Sequence, residues 1–102
     1  MNLEKFTERS RGFLQAAQTI AMREGHQRLA PEHLLKALMD DDQGLAANLI
    51  RRAGGAPERV GEVVDLAVNK LAKVSGGSGE VYTDQSLVRI LTEAETLAKK
   101  AG

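Results

Sequence analysis

Apolar side chains at Phe13, Leu14, Ala17, Ile20 and Ala21 recur at steps of three and four residues, the spacing that lines one face of a helix. The pattern predicts a first helix over about residues 8–24, with Thr7 as its N-cap, Glu8 at the positive end and Gly25 as its stop. A second helix is expected from Ala30-Pro31-Glu32-His33, because proline suits a first helical turn. Leu34, Leu35 and Leu38 supply its predicted buried stripe. Asp40, Asp41 and Asp42 crowd negative charge at the negative end of that helix and end it before Gly44. A third runs from about Leu45 to Ala53, with Leu45, Ala46, Leu49 and Ile50 on one face and Gly54-Gly55 beyond it.

A fourth helix begins near Pro57 and carries Val60, Val63, Val64, Ala67, Leu71 and Val74; its β-branched residues lower intrinsic helicity, so packing must hold it. Ser75-Gly76-Gly77-Ser78-Gly79 reads as a flexible linker. Leu87, Ile90, Leu91, Ala94, Leu97, Ala98 and Ala101 then define a fifth helix, capped by Thr83 or Asp84. A shift of 77 positions places Thr7 on Asp84, Phe13 on Ile90, Leu14 on Leu91, Ala17 on Ala94, Ile20 on Leu97 and Gly25 on Gly102. Cap, stripe and stop coincide, which is what an internal repeat produces, although two amphipathic helices also align by chance at some shift. On the repeat reading, residues 1–74 form a four-helix first copy, 75–81 a linker, and 82–102 the first helix of a second copy. That helix must pack on the first copy, pair with another chain, or fray.

Composition agrees with an all-α fold. Of the 102 residues 42% are hydrophobic, yet only Phe6, Phe13 and Tyr82 are aromatic, so the core is aliphatic. Fourteen basic residues balance fourteen acidic ones without a block of either sign, which disfavours nucleic acid and anionic membranes as partners. There is no cysteine, hence no disulfide, thiolate metal site or cysteine nucleophile. The charged start Met-Asn-Leu-Glu-Lys and the lack of a long apolar run predict a soluble cytoplasmic chain.

Candidate chemistry is sparse. No Gly-x4-Gly-Lys-[Ser/Thr] occurs, so the glycine-rich stretch is a linker and no nucleotide cofactor is expected on this chain. His26 and His33 are the only histidines. Residue 29 is Leu and residue 36 is Lys, so neither His has the second imidazole one turn away that a zinc-protease helix needs. Structural roles are expected, one ring near a helix end and the other in a local hydrogen bond. The aspartate run lacks calcium-loop spacing and is expected to stay solvated. Ser10, Ser75, Ser78 and Ser86 have no nucleophile context, and no enzyme activity is expected.

Phe6-Thr7-Glu8-Arg9, the Gly25-His26 pair and Pro31-Glu32-His33-Leu34-Leu35-Lys36-Ala37-Leu38 together resemble the amino-terminal Clp repeat of the Clp/Hsp100 protein-remodelling ATPases. Asn2-Leu3-Glu4-Lys5-Phe6-Thr7 and Leu87-Val88-Arg89-Ile90-Leu91 look most like the ClpB branch. The resemblance implies two pseudo-repeats of four helices, here cut after the first helix of the second. It implies a parent homohexamer that uses ATP and Mg in other segments and threads unfolded or aggregated client proteins with a DnaK-type chaperone system. It also nominates Thr7, Leu91, Ala94 and Leu97 as client-binding residues; Glu93 makes that surface less apolar. Two alternatives stay open: adaptor docking, as in ClpA- or ClpC-type relatives, and self-association through the fifth helix.

Overall fold

Thr7 opens the first helix, α1 (Glu8–Arg23), with an extended backbone and a hydroxyl that accepts the Ser10 N–H at 3.1 Å. The computed structural model describes residues 7–41, 44–73 and 81–101. The cap satisfies one of the amides a helix start leaves unpaired. Thr7→Ala is therefore expected to lower stability by about 1 kcal/mol, read as a lower urea midpoint at unchanged slope, and Thr7→Ser to restore it.

At the other end Gly25 adopts φ 75°, a left-handed conformation that L side chains resist. This lets the Gly25 N–H reach the Met22 carbonyl at 3.2 Å and the His26 N–H reach that of Ala21 at 2.8 Å. The same stop ends the third helix, α3 (Leu45–Arg52), where Gly54 takes φ 92° and the Gly55 N–H reaches the Ile50 carbonyl at 2.8 Å.

The second and fourth helices, α2 (Pro31–Met39) and α4 (Pro57–Asn69), both start on proline after an extended alanine. Neither alanine can cap with its side chain. In α2 the imidazole of His33 compensates, accepting the Ala30 N–H at 2.9 Å from the third helical position. The buried stripe of α2 differs from the expected one: His33 and Ala37 are buried, Leu34 packs at the core's edge, and Leu35 is 42% exposed. Leu35 lies two positions past His33, roughly 200° round the helix and away from α1.

In α4 the buried residues are Pro57, Val64 and Val68, while Val63 faces solvent. The helix ends before Leu71, and Val74 falls outside the described residues, as does the predicted linker at 75–79. Lys36 on α2 reaches the Asp65 carboxylate on α4 at 2.7 Å and that of Asp40 at 3.4 Å. Its bond to Asp65 holds the Lys36 ammonium above its ordinary pKa. The third helix buries no residue completely; Ile50 is half-buried and Leu45 and Leu49 are exposed.

Two short strands went unannounced by periodicity, since two residues are too few to show alternation. The first, β1 (Arg28–Leu29), pairs in parallel with the second, β2 (Tyr82–Thr83), Arg28 opposite Tyr82 and Leu29 opposite Thr83. An isolated antiparallel bridge joins His26 to Lys73. The fifth helix, α5 (Gln85–Ala101), follows at once. Of the two candidate caps Asp84 is the one used: its carboxylate accepts the Ser86 N–H at 3.1 Å and the Ser86 hydroxyl. These bonds hold the Asp84 carboxyl below its ordinary pKa.

The core joins Leu14, Ala17, Ile20 and Ala21 of α1, Leu29 of β1, Ala37 of α2, and Leu87 and Leu91 of α5, with Leu34 and Val81 against it. Of the three fates open to the fifth helix, its first half thus packs on the other helices. Its second half does not: Ala94, Leu97, Ala98 and Ala101 are exposed.

Candidate functional site

Where α5 leaves the core, a gap opens between it, the start of α1 and the middle of α2. The amphipathic stripes that build the core also line this gap, because each helix buries only the central row of its apolar face. Phe13 and Leu14 contribute from α1, Leu34 and Leu38 from α2, and Leu91, Ala94 and Ala98 from α5. The result is a groove of about 380 Å³ with an apolar floor. Its polar lining is confined to Thr7 and Ser10 at the mouth and Glu95 along one wall.

Both hydroxyls are engaged. Thr7 Oγ1 accepts the Ser10 N–H and donates to Ser10 Oγ at 3.0 Å. Glu95 pairs with Lys99 one turn on at 3.6 Å, a contact too exposed to add much stability. Among the described residues no imidazole or amine borders the groove. What the groove offers is desolvation of small aliphatic side chains.

Three of the four residues nominated from sequence meet here. Thr7 sits at the mouth, where it also caps α1, and Leu91 and Ala94 form part of the α5 wall. Leu91 belongs to the core as well, at 8% exposure. Leu97 lies outside the groove; it is 60% exposed and shares a face of α5 with Ile90, seven residues earlier. Phe13, Leu34 and Leu38 are groove residues that the sequence marked only as helix stripes. Core and groove positions share one periodicity, and only the gap between helices separates them.

The remaining candidates resolve into structural roles. His26 and His33 are both buried and hydrogen-bonded ring to ring at 2.8 Å. The aspartate run is not uniformly solvated: Asp41 bonds Arg9 at 2.9 Å, tying the end of α2 to the start of α1. Asp42 falls outside the described residues. Among the described residues no group of three or more His, Cys, Asp and Glu is placed to hold a metal ion. Nor is any helix among them long and apolar enough to cross a membrane.

Five helices among the described residues surround an aliphatic core that is opened on one side by a shallow apolar groove, which defines an all-helical module. The chain belongs to the Clp repeat (R) N-terminal domain family, whose profile matches residues 5–102. Within that family it is similar to ClpB chaperones. It is 56% identical over 102 residues to the chaperone protein ClpB of Rhizobium meliloti and 54% identical over 102 residues to that of Mesorhizobium japonicum. Identity to the chaperone protein ClpB of Rickettsia felis is 34% over 103 residues. Each alignment covers all of this chain and 12% of the relative, so the chain spans about an eighth of those proteins. A solved structure from preliminary structural investigations of a malarial protein secretion system superposes with a TM-score of 0.79 at 26% identity, over 94% of this chain and 65% of its own.

Proposed function

We propose that this chain is the client-recognition module of a ClpB-type disaggregase, and that the groove between α1, α2 and α5 takes up exposed apolar segments of unfolded or aggregated proteins. The observation that carries the reading is the groove itself: seven apolar side chains from three helices face a gap that no side chain of the described residues fills. Contact with small aliphatic groups and few polar anchors gives weak, sequence-tolerant affinity, which suits a module that must release its client to a translocating ring. The ring, its ATP and Mg, its hexameric assembly, its cytoplasmic setting and its cooperation with a DnaK-type chaperone would belong to the parent protein. This sequence carries no Gly-x4-Gly-Lys-[Ser/Thr] motif, which supports placing the nucleotide step in other segments of the parent protein.

The test is binding of a permanently unfolded probe, reduced and carboxymethylated α-lactalbumin, followed by fluorescence anisotropy. Wild type is expected to bind it weakly. Ala94→Asp places a carboxylate on the apolar wall at an exposed position and is expected to weaken binding about tenfold, or about 1.4 kcal/mol, with the urea midpoint unchanged. Equal binding by wild type and variant would remove the groove from the reading. A wild type that ignores the unfolded probe but binds one folded adaptor tightly would replace the client reading with adaptor docking.

A further inference from the structure

The two histidines use their hydrogen-bonding capacity in a way that admits one protonation state. His33 Nδ1 accepts the Ala30 N–H at 2.9 Å, so the neutral ring carries its hydrogen on Nε2. That hydrogen points at His26 Nδ1, 2.8 Å away, which must then be the acceptor. His26 is left with its own hydrogen on Nε2, where it is buried and has no partner among the described residues. The pair therefore holds two ring protons. A third has no place: on His26 Nδ1 it meets the His33 N–H, and on His33 Nδ1 it meets the Ala30 N–H. Either arrangement sets two donors face to face, out of reach of water.

The turn that carries this pair also fastens α5. His26 closes the stop of α1 through its bond to the Ala21 carbonyl and bridges to Lys73 beyond α4. One residue further on, the Gln27 carbonyl accepts the Tyr82 N–H at 2.8 Å, and the Leu29 carbonyl accepts the Asp84 N–H at 2.9 Å. These two bonds seat α5 at its first turn. We propose that the His26–His33 pair is an acid-sensitive latch: when it takes up one proton, the turn at residues 24–33 loosens and releases the β1–β2 clip and the start of α5 before the remaining helices unfold. The latch belongs to the fold and acts whether or not the groove binds clients.

The charged groups around the pair do not remove this constraint. Glu24 at the end of α1 and Glu32 on α2 favour an added proton on His33; Arg28 on β1 lines the same pocket as His26 and pairs with Asp84 before α5 at 3.4 Å, and Lys73 after α4 meets His26 through the backbone. Burial, followed by the facing His26 ring, holds His33 below the ordinary imidazole value of 6.5 despite both carboxylates. The sign follows. As pH falls through 6.5 the unfolded chain binds a proton at this position that the folded chain refuses, so the stabilisation is complete above 6.5 and declines below it until the folded value is reached.

Hydrogen exchange on this chain at pH 7.5 and 5.5, corrected for intrinsic rates, tests the latch. The opening equilibrium of the Tyr82, Asp84 and His26 amides is expected to rise severalfold at pH 5.5, to at most about tenfold for one ring, relative to amides in the middle of α4. Opening that is independent of pH, or equal at every amide, overturns it. In His33→Gln the side-chain carbonyl can still accept the Ala30 N–H and its NH₂ can still face His26, but one titrating ring is gone, so the acid response is expected to shrink. Should that variant not fold, the imidazole nitrogen chemical shifts of wild type decide. Both rings as Nε2–H tautomers at pH 7.5, with His33 titrating below 6.5, support the latch; an Nδ1–H tautomer in either ring, or His33 titrating at or above 6.5, rules it out.

Discussion

Leu87→Ala is expected to cost about 3 kcal/mol of folding stability, more than any other single truncation of an aliphatic side chain in α5. Leu87 has 0% exposure and lies in the cluster formed by α1, α2 and α5. Its removal takes away buried methyl groups and leaves a cavity between helices that cannot close without shifting α5. The consequence reaches the groove, since Leu91 and Ala94 are held in its wall only as long as the first turn of α5 stays seated. Urea denaturation should show the lower midpoint, and exchange across residues 85–101 should accelerate together with a loss of affinity for the unfolded probe. Leu97→Ala is the control: at 60% exposure it should change stability by less than about 0.5 kcal/mol. A cost below about 1 kcal/mol for Leu87→Ala would show that α5 is not packed as described.

His33→Ala should be of similar size, about 3 kcal/mol, for a different reason. The ring is among the largest side chains that are fully buried, so a cavity forms. In addition the Ala30 N–H and His26 Nδ1 both lose their partner in a place water does not reach. Replacement by Gln, which supplies a carbonyl oxygen and an NH₂ at similar reach, should recover much of the loss, whereas Leu, which restores volume alone, should recover less. Thermal or urea unfolding at pH 7.5 ranks the three variants. If Leu matched Gln, the ring would contribute volume and not hydrogen bonds.

The groove follows a different logic from these core positions. Apart from Leu14 and Leu91, which also belong to the core, its residues are half-covered or exposed, so substitutions there should alter binding more than stability, with Ala94→Asp the clearest instance. Thr7 is the exception. Its hydroxyl caps α1 and also borders the groove, so loss of affinity in Thr7→Ala must be compared with Thr7→Ser before it is assigned to contact with a client.

Much of the helical layout was legible because local chemistry sets it. The Thr7 cap, the Gly25 stop, the prolines at the starts of α2 and α4 and the Gly54-Gly55 end of α3 act within a few residues of themselves, and the structure places helix ends at each of them. Stripe assignments failed where two faces of a helix both carry apolar residues. In α2 the leucines suggested one face, but His33 and Ala37 are the residues buried, Ala37 in the cluster with α1, and Leu35 is left outside. In α4 the expected stripe included Val63 and omitted Val68, whereas the structure buries Val68 and leaves Val63 in solvent, because a run of valines puts apolar residues on more than one face.

The sequence by itself determined that this is an all-α chain of five helices with aliphatic stripes and its membership of the Clp repeat class, since periodicity, caps and motif residues are properties of the chain read in order. Tertiary structure alone decided that α5 closes the same core as α1 and α2, that two-residue strands clip its start to the turn after α1, and that the buried rings of His26 and His33 hydrogen-bond to each other. It also decided which apolar residues face a gap instead of a neighbour. These depend on contacts between residues far apart in the chain, whose free energy comes from the fit of several surfaces at once and leaves no period or motif in any one of them.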